Sequence, residues 1–231
     1  MEDCNVLDLH SVPSVVAGFV FQFQRALLEL IKSENGAVIG VETLDDVSVA
    51  NTDGSKTLEQ DKFTTDSSGK VYADKAHNLL NTMSIWLGAA LRGELDITKT
   101  SFRLVTNVKC TTGLVRAISD CKSEVEAKQI IVQIRGLKSE SKDFQGFIKL
   151  INAPGAESML SAIIVSVCLI ECQNDVVQKA QDALPIENAY ASNRRQICMM
   201  LLGWMLNNAF AAWQKRVPYL VTKQHLINEL G

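Results

Sequence analysis

With 231 residues, of which 47% are hydrophobic, the chain can bury a sizeable core as one domain or one domain with an appendage, and it reads as a soluble globular protein. Its net charge of −3 supplies no global attraction to nucleic acid, so any such binding must come from a local basic surface or a bound metal ion. No apolar run is expected to cross a membrane: Met159 to Ile170 is too short, and Asn207 and Asn208 interrupt Ile197 to Trp213. The cysteines (Cys4, Cys110, Cys121, Cys168, Cys172, Cys198) form no Cys-x-x-Cys and follow no signal peptide, which fits reduced, mostly buried thiols in a cytoplasmic protein. His10, His77 and His225 are too scattered for a histidine-based zinc site.

Residues before Ser11 lack periodicity and are expected to form an arm or short lead-in strand. Ser11 or Ser14, around Pro13, can start a helix in which Val15, Val16, Phe19, Ala26, Leu27, Leu30 and Ile31 keep a helical period until Asn35-Gly36 ends it. Gln22 and Glu29 share a face of that helix, with Arg25 close by. Such a stripe is either solvated or turned towards a site.

Two segments, Glu42 to Val49 and Thr57 to Phe63, flank the turn cluster Asn51-Thr52-Asp53-Gly54 and predict a β-hairpin. A turn centred near Asp53 sets Asp46 opposite Gln60, and the period of two adds Lys62 to the face of Gln60. A carboxylate, an amide oxygen and an ammonium then converge. The two oxygens suit a hard divalent cation such as magnesium. Such an ion would activate a water, and the lysine would orient it or stabilise developing negative charge, as phosphodiester hydrolysis requires. The same residues, with Asp45, Glu59 and Asp61, equally describe the wet face of an edge hairpin.

Thr64 to Tyr72 is a polar loop suited to substrate contact. Asp74 can cap a helix to about Leu91 with Leu79, Met83, Trp86, Leu87 and Ala90 as its apolar stripe. Ser101 to Thr106 reads as a strand, followed by helices over Leu114 to Cys121 and Glu124 to Leu137. Asp143 can cap another helix, closed by Pro154-Gly155. Leu160 to Glu171 is ambiguous, and its β-branched content favours a strand. Asn174 then caps a helix to Leu184, a longer apolar helix covers Ser192 to Lys215, and Thr222 caps a last helix over Lys223 to Leu230. Pro154-Gly155 sets a boundary between a core at 1–153 and a strand plus helical C-terminal region at 154–231, packed on the core or mediating assembly. Gly36, Gly40 and Gly54 are too dispersed for a phosphate-binding loop.

This order of elements resembles the PD-(D/E)xK restriction-endonuclease-like superfamily, and more closely the double-stranded DNA endonuclease domain of bacterial anti-phage effectors of the CBASS and Lamassu kinds. The resemblance rests on Gly18-Phe19-Val20-Phe21-Gln22, Glu42-Thr43-Leu44-Asp45-Asp46-Val47, Gln60-Asp61-Lys62, Asn81 to Leu87 with Thr82 and Trp86, and Phe102 to Asn107. Leu202-Gly203-Trp204 and Val221-Thr222 extend it, so that it covers most of the chain. It implies an α/β fold, a mixed sheet flanked by helices with an α-helical C-terminal region.

The resemblance further implies a metal-dependent endodeoxyribonuclease using Mg2+ or Mn2+. Asp46 and Gln60 would be the metal ligands, Lys62 the catalytic lysine, and Gln22, Glu42 and Asp45 supporting residues. The implied setting is a bacterial cytoplasm, with double-stranded DNA as substrate, an SMC-like ATPase or other defence subunit as regulator, and activation by homo-oligomerisation. Asp61 departs from the pattern, which prefers an apolar residue there. The alternative is a catalytically silent nuclease-like module that binds DNA or a partner complex.

Overall fold

The structure, a computed structural model, describes residues 13–64, 72, 77–172, 175–186 and 193–230. Ser11, Asp74 and Asn174, expected to cap helices, lie outside them, as do the lead-in before Ser11 and most of the loop after Thr64. Among the described residues the elements run α1 (Pro13–Lys32), β1 (Val38–Val41), β2 (Val47–Ala50), β3 (Lys56–Lys62), α2 (His77–Leu91), β4 (Thr100–Thr106), α3 (Leu114–Asp120), α4 (Glu124–Gly136), α5 (Lys142–Ile151), α6 (Ala156–Ser166), β5 (Val167–Glu171), α7 (Val176–Ala183), α8 (Arg194–Gln214), β6 (Tyr219–Thr222) and α9 (Lys223–Leu230).

One mixed sheet takes the strands in the order β5-β4-β3-β2-β1-β6. The pairs β3/β2, β2/β1 and β1/β6 are antiparallel, whereas β3/β4 and β4/β5 are parallel. The parallel pairs follow from the connections, since α2 and then α3 to α6 return the chain to the same end of the sheet. Side chains alternate between two cores. Leu58, Phe102 and Leu104 pack with α2 to α6 on one face. Ile39, Val41, Val47, Val49 and Val105 pack with α1, α7, α8 and α9 on the other. The sheet therefore runs across residue 153, and β5 and β6 extend it at both edges.

Two strands were not expected. β1 is short and continuously apolar around Gly40, so it carries no alternation to read, and β6 follows Pro218 directly. The hairpin is also shorter than predicted. Glu42 to Asp46 is not strand but the β1–β2 turn, closed by hydrogen bonds from the Glu42 and Thr43 amides to the Asp46 and Asp45 carbonyls. Glu42 is left-handed there, with φ 52, a strained state for a residue with a Cβ. Leu160 to Ser166 is likewise corrected from strand to helix. Leu160, Ile163, Ile164 and Val167 are all buried, and that spacing fits α6 better than a strand. Ser141, not Asp143, caps α5, accepting from the Phe144 amide at 3.2 Å.

Gly40 has a packing reason. A Cβ there would run into the Thr43 and Ser48 hydroxyls, the latter at 2.7 Å. Gly40→Ala is therefore expected to destabilise the chain by about 1–3 kcal/mol, seen as a lower urea midpoint with an unchanged slope.

Within α1, Ser14–Lys32 is long and apolar enough to cross a membrane by length and composition, at a mean hydropathy of 1.4, a candidate missed among the sequence runs. In the fold this helix lies against the sheet and carries the buried Arg25.

Candidate active site

The hairpin is not an edge. β2 and β3 are interior strands, and Glu59, Gln60 and Asp61 are buried, which removes the wet-face reading. Continuing the β2–β3 register by one residue sets Asp46 opposite Gln60. Gln60 Nε2 donates to Asp46 Oδ2, and the Asp61 amide donates to the same oxygen at 2.8 Å. Asp46 is thus held by the strand that carries Gln60 and Lys62.

α2 fixes the other half. Thr82 lies 3.0 Å from Gln60 Oε1, and the Trp86 indole N–H donates to Asp45 Oδ2 at 2.6 Å while its ring packs on Phe102. Tyr72 Oη reaches the Gln60 and Val105 carbonyls at 3.1 and 3.3 Å. Asn107 exchanges two hydrogen bonds with the Thr64 backbone, at 2.9 and 2.8 Å, tying the end of β3 to the end of β4. Tyr72 carries no such signal in the sequence, because its role depends on a tertiary contact with two carbonyls.

Thr82 has one hydroxyl hydrogen and two acceptors, the Asn78 carbonyl at 2.8 Å and Gln60 Oε1. As placed, Oε1 accepts from Thr82 and Nε2 donates to Asp46 Oδ2. Were the helix carbonyl to take the hydroxyl hydrogen, Thr82 would accept from a turned-over Gln60 amide and Oε1 would face Asp46 Oδ2. Two facing oxygens repel unless a cation lies between them, so this donor set fits a hard divalent ion completed by water. Among the described residues no three His, Cys, Asp or Glu side chains converge to hold a metal.

The supporting residues divide. Gln22, on α1, hydrogen-bonds Glu42, and both border a cavity of about 390 Å3 with Asp61 and Lys62. Burial and the Asp46 charge raise the Glu42 pKa, while the Gln22 bond and Lys62 oppose them. Glu29 turns elsewhere. It binds Arg25 at 3.0 Å and Arg103 at 2.9 Å. The stripe on α1, read as solvated or turned towards a site, is buried against β3, where Arg25 grips Glu59 at 2.7 and 2.8 Å. A larger cavity of about 680 Å3, bordered by Arg25, Glu29, Arg103 and Lys179, lies on this side and shares no residue with Asp46, Gln60 or Lys62.

Burial pushes the Asp45 carboxyl up to about 7 against the pull of its Trp86 bond, with the Asp46 charge adding to the rise. Between the ordinary value of 3.8 and about 7 the folded chain holds a proton that the unfolded chain releases. Stability therefore falls as pH rises through that window and levels off above it. Asp45→Asn cannot ionise and keeps an oxygen for Trp86. In EDTA it is expected to be more stable than the unsubstituted chain at pH 8 by roughly 2–4 kcal/mol and within about 1 kcal/mol at pH 5, measured by urea denaturation at both values.

Compared with protein-family models and with curated proteins, the chain matches none.

Proposed function

We propose that the chain is a magnesium- or manganese-dependent endodeoxyribonuclease with a restriction-endonuclease-like core. Its place would be as an effector of bacterial anti-phage defence, acting on double-stranded DNA. The observation that carries this reading is the Asp46–Gln60 contact at the interior end of β3, two residues from Lys62. Support comes from the order α1-β1-β2-β3-α2-β4, with β3 parallel to β4.

A divalent ion on Asp46 and Gln60 would supply Lewis-acid stabilisation of a phosphodiester oxygen and a more acidic bound water. The protein's own part is positional. β3 holds Gln60 and Lys62 on one face, α2 fixes Gln60 through Thr82, and Trp86 fixes the turn through Asp45. Lys62 has no hydrogen bond or ion pair among the described residues, and its charge acts on Glu42 and Asp45. It is thus available to orient a water or to meet negative charge developing on the phosphate.

Control by a partner such as an SMC-like ATPase, or by homo-oligomerisation, belongs to the same proposal. The exposed Met199, Met200 and Phe210 on α8 are where such a contact is sought. One observation favours a silent DNA- or partner-binding module instead: Asp46 Oδ2 already accepts from the Asp61 amide. The test is conversion of closed circular plasmid to nicked or linear forms with magnesium, by the chain alone and with the products of neighbouring genes. Cutting that EDTA stops supports the nuclease. Retained DNA binding without cutting under every condition supports the silent module.

A further inference from the structure

Asp61 has no part in the Asp46–Gln60 contact beyond its backbone amide. Its side chain projects to the opposite face of β3 from Gln60, is 5% exposed, and neither carboxylate oxygen has a hydrogen-bond partner in the protein. Gln22 is 9% exposed, and its Oε1 is likewise without a donor. Both residues border the same cavity, between the N-terminal half of α1 and the end of β3, and Glu42 and Lys62 complete that wall.

Each orphaned oxygen is an acceptor. A buried acceptor without a donor costs on the order of 1–3 kcal/mol, and a buried carboxylate more. A proton on Asp61, favoured by its burial and by Glu59, would relieve the carboxylate alone, whereas a cation would satisfy Asp61 and Gln22 Oε1 together. The neighbouring arginines are committed: Arg25 binds Glu59 and Glu29, and Arg103 binds Glu29. Those two acids take the hydrogen bonds of those two bases, so the Arg25 charge reaches Asp61 without bonding it. On the turn, Glu42 and Asp45 have Lys62 as their near cation.

We propose that Asp61, Gln22 Oε1 and Glu42 form a second divalent-cation site, of the magnesium, manganese or calcium class, entered from this cavity. Three protein oxygens with water in the remaining positions suit such an ion. The site lies across β3 from the Asp46–Gln60 pair, and the Asp61 amide bond to Asp46 Oδ2 couples the two. Its use in phosphodiester chemistry rests on the nuclease reading; its existence rests on these oxygens.

The test is Mn2+ titration of the whole chain, followed by calorimetry and by electron paramagnetic resonance of free Mn2+. Asp61→Asn is expected to lose one class of bound Mn2+ that Asp46→Ala retains. Glu42→Gln, which keeps the size of the side chain and one acceptor oxygen, is expected to weaken the same class about tenfold. Unchanged stoichiometry and Kd in both Asp61→Asn and Glu42→Gln would overturn the assignment. So would a higher melting temperature for Asp61→Asn with unaltered Mn2+ binding, which would show that no ion offsets the burial of Asp61. A chain that binds both classes of Mn2+ but cuts no DNA removes the nuclease reading and leaves this site standing. Cutting with no Asp61-dependent Mn2+ does the reverse.

Discussion

Arg25→Ala is expected to destabilise the folded chain by about 3–5 kcal/mol, enough to unfold a large fraction of a domain of ordinary stability. Arg25 is 3% exposed and Glu59 1%. Their contact uses Arg25 Nε and Nη2 against both Glu59 oxygens, at 2.7 and 2.8 Å. Burial works against the charge of the guanidinium, yet the bond to Glu59 and the charges of Glu59 and Glu29 overcome it, and its pKa is raised. Removing the arginine leaves Glu59 buried beside Asp61, with Arg103 3.6 Å away as a weaker partner. The loss is therefore mainly the cost of an unpaired carboxylate. Arg25→Met combined with Glu59→Met removes both charges at similar volume and is expected to recover most of it. Urea denaturation of the three variants measures this, and equal destabilisation by the single and double substitutions would contradict it.

This ion pair also shows where the chain could be read in one dimension and where it could not. The facing of Asp46 and Gln60 follows from a turn near Asp53 and a period of two, both local. The apolar stripe of α2 is legible for the same reason, and that of α1 only in part, since Val15 and Val16 are exposed. The partner of Glu59 was not, because Arg25 lies 34 residues away and a charged stripe on a helix looks the same whether it meets water or a carboxylate. Asp61 looked like a defect in Gln60-Asp61-Lys62, but its surroundings come from α1 and the Glu42 turn. β1 escaped because Gly40 and a four-residue apolar run carry no alternation. In α6, β-branched side chains outweighed a helical spacing that becomes visible once burial is known. The β1–β2 turn looks like strand in the sequence because no glycine marks its left-handed position, which Glu42 holds.

The second large effect concerns Asp46 and Lys62. Asp46→Ala removes the one carboxylate in contact with Gln60, and a divalent ion at this site would lose its charged ligand. Lys62→Ala removes the ammonium from the end of β3 while leaving Asp46, Gln60 and their contacts with α2 in place. Loss of a group that stabilises charge in the transition state costs about 10²–10³-fold in rate, and loss of the metal-binding carboxylate is expected to cost at least as much. Both positions are only part-buried, so folding should survive and the loss should appear in the rate of cutting.

The most direct test is plasmid cleavage in magnesium by the activated protein, with the unsubstituted chain, Asp46→Ala and Lys62→Ala compared at equal DNA occupancy. The nuclease account predicts cutting by the first and loss of at least about 10²-fold in each of the others. Equal cutting by all three would contradict it.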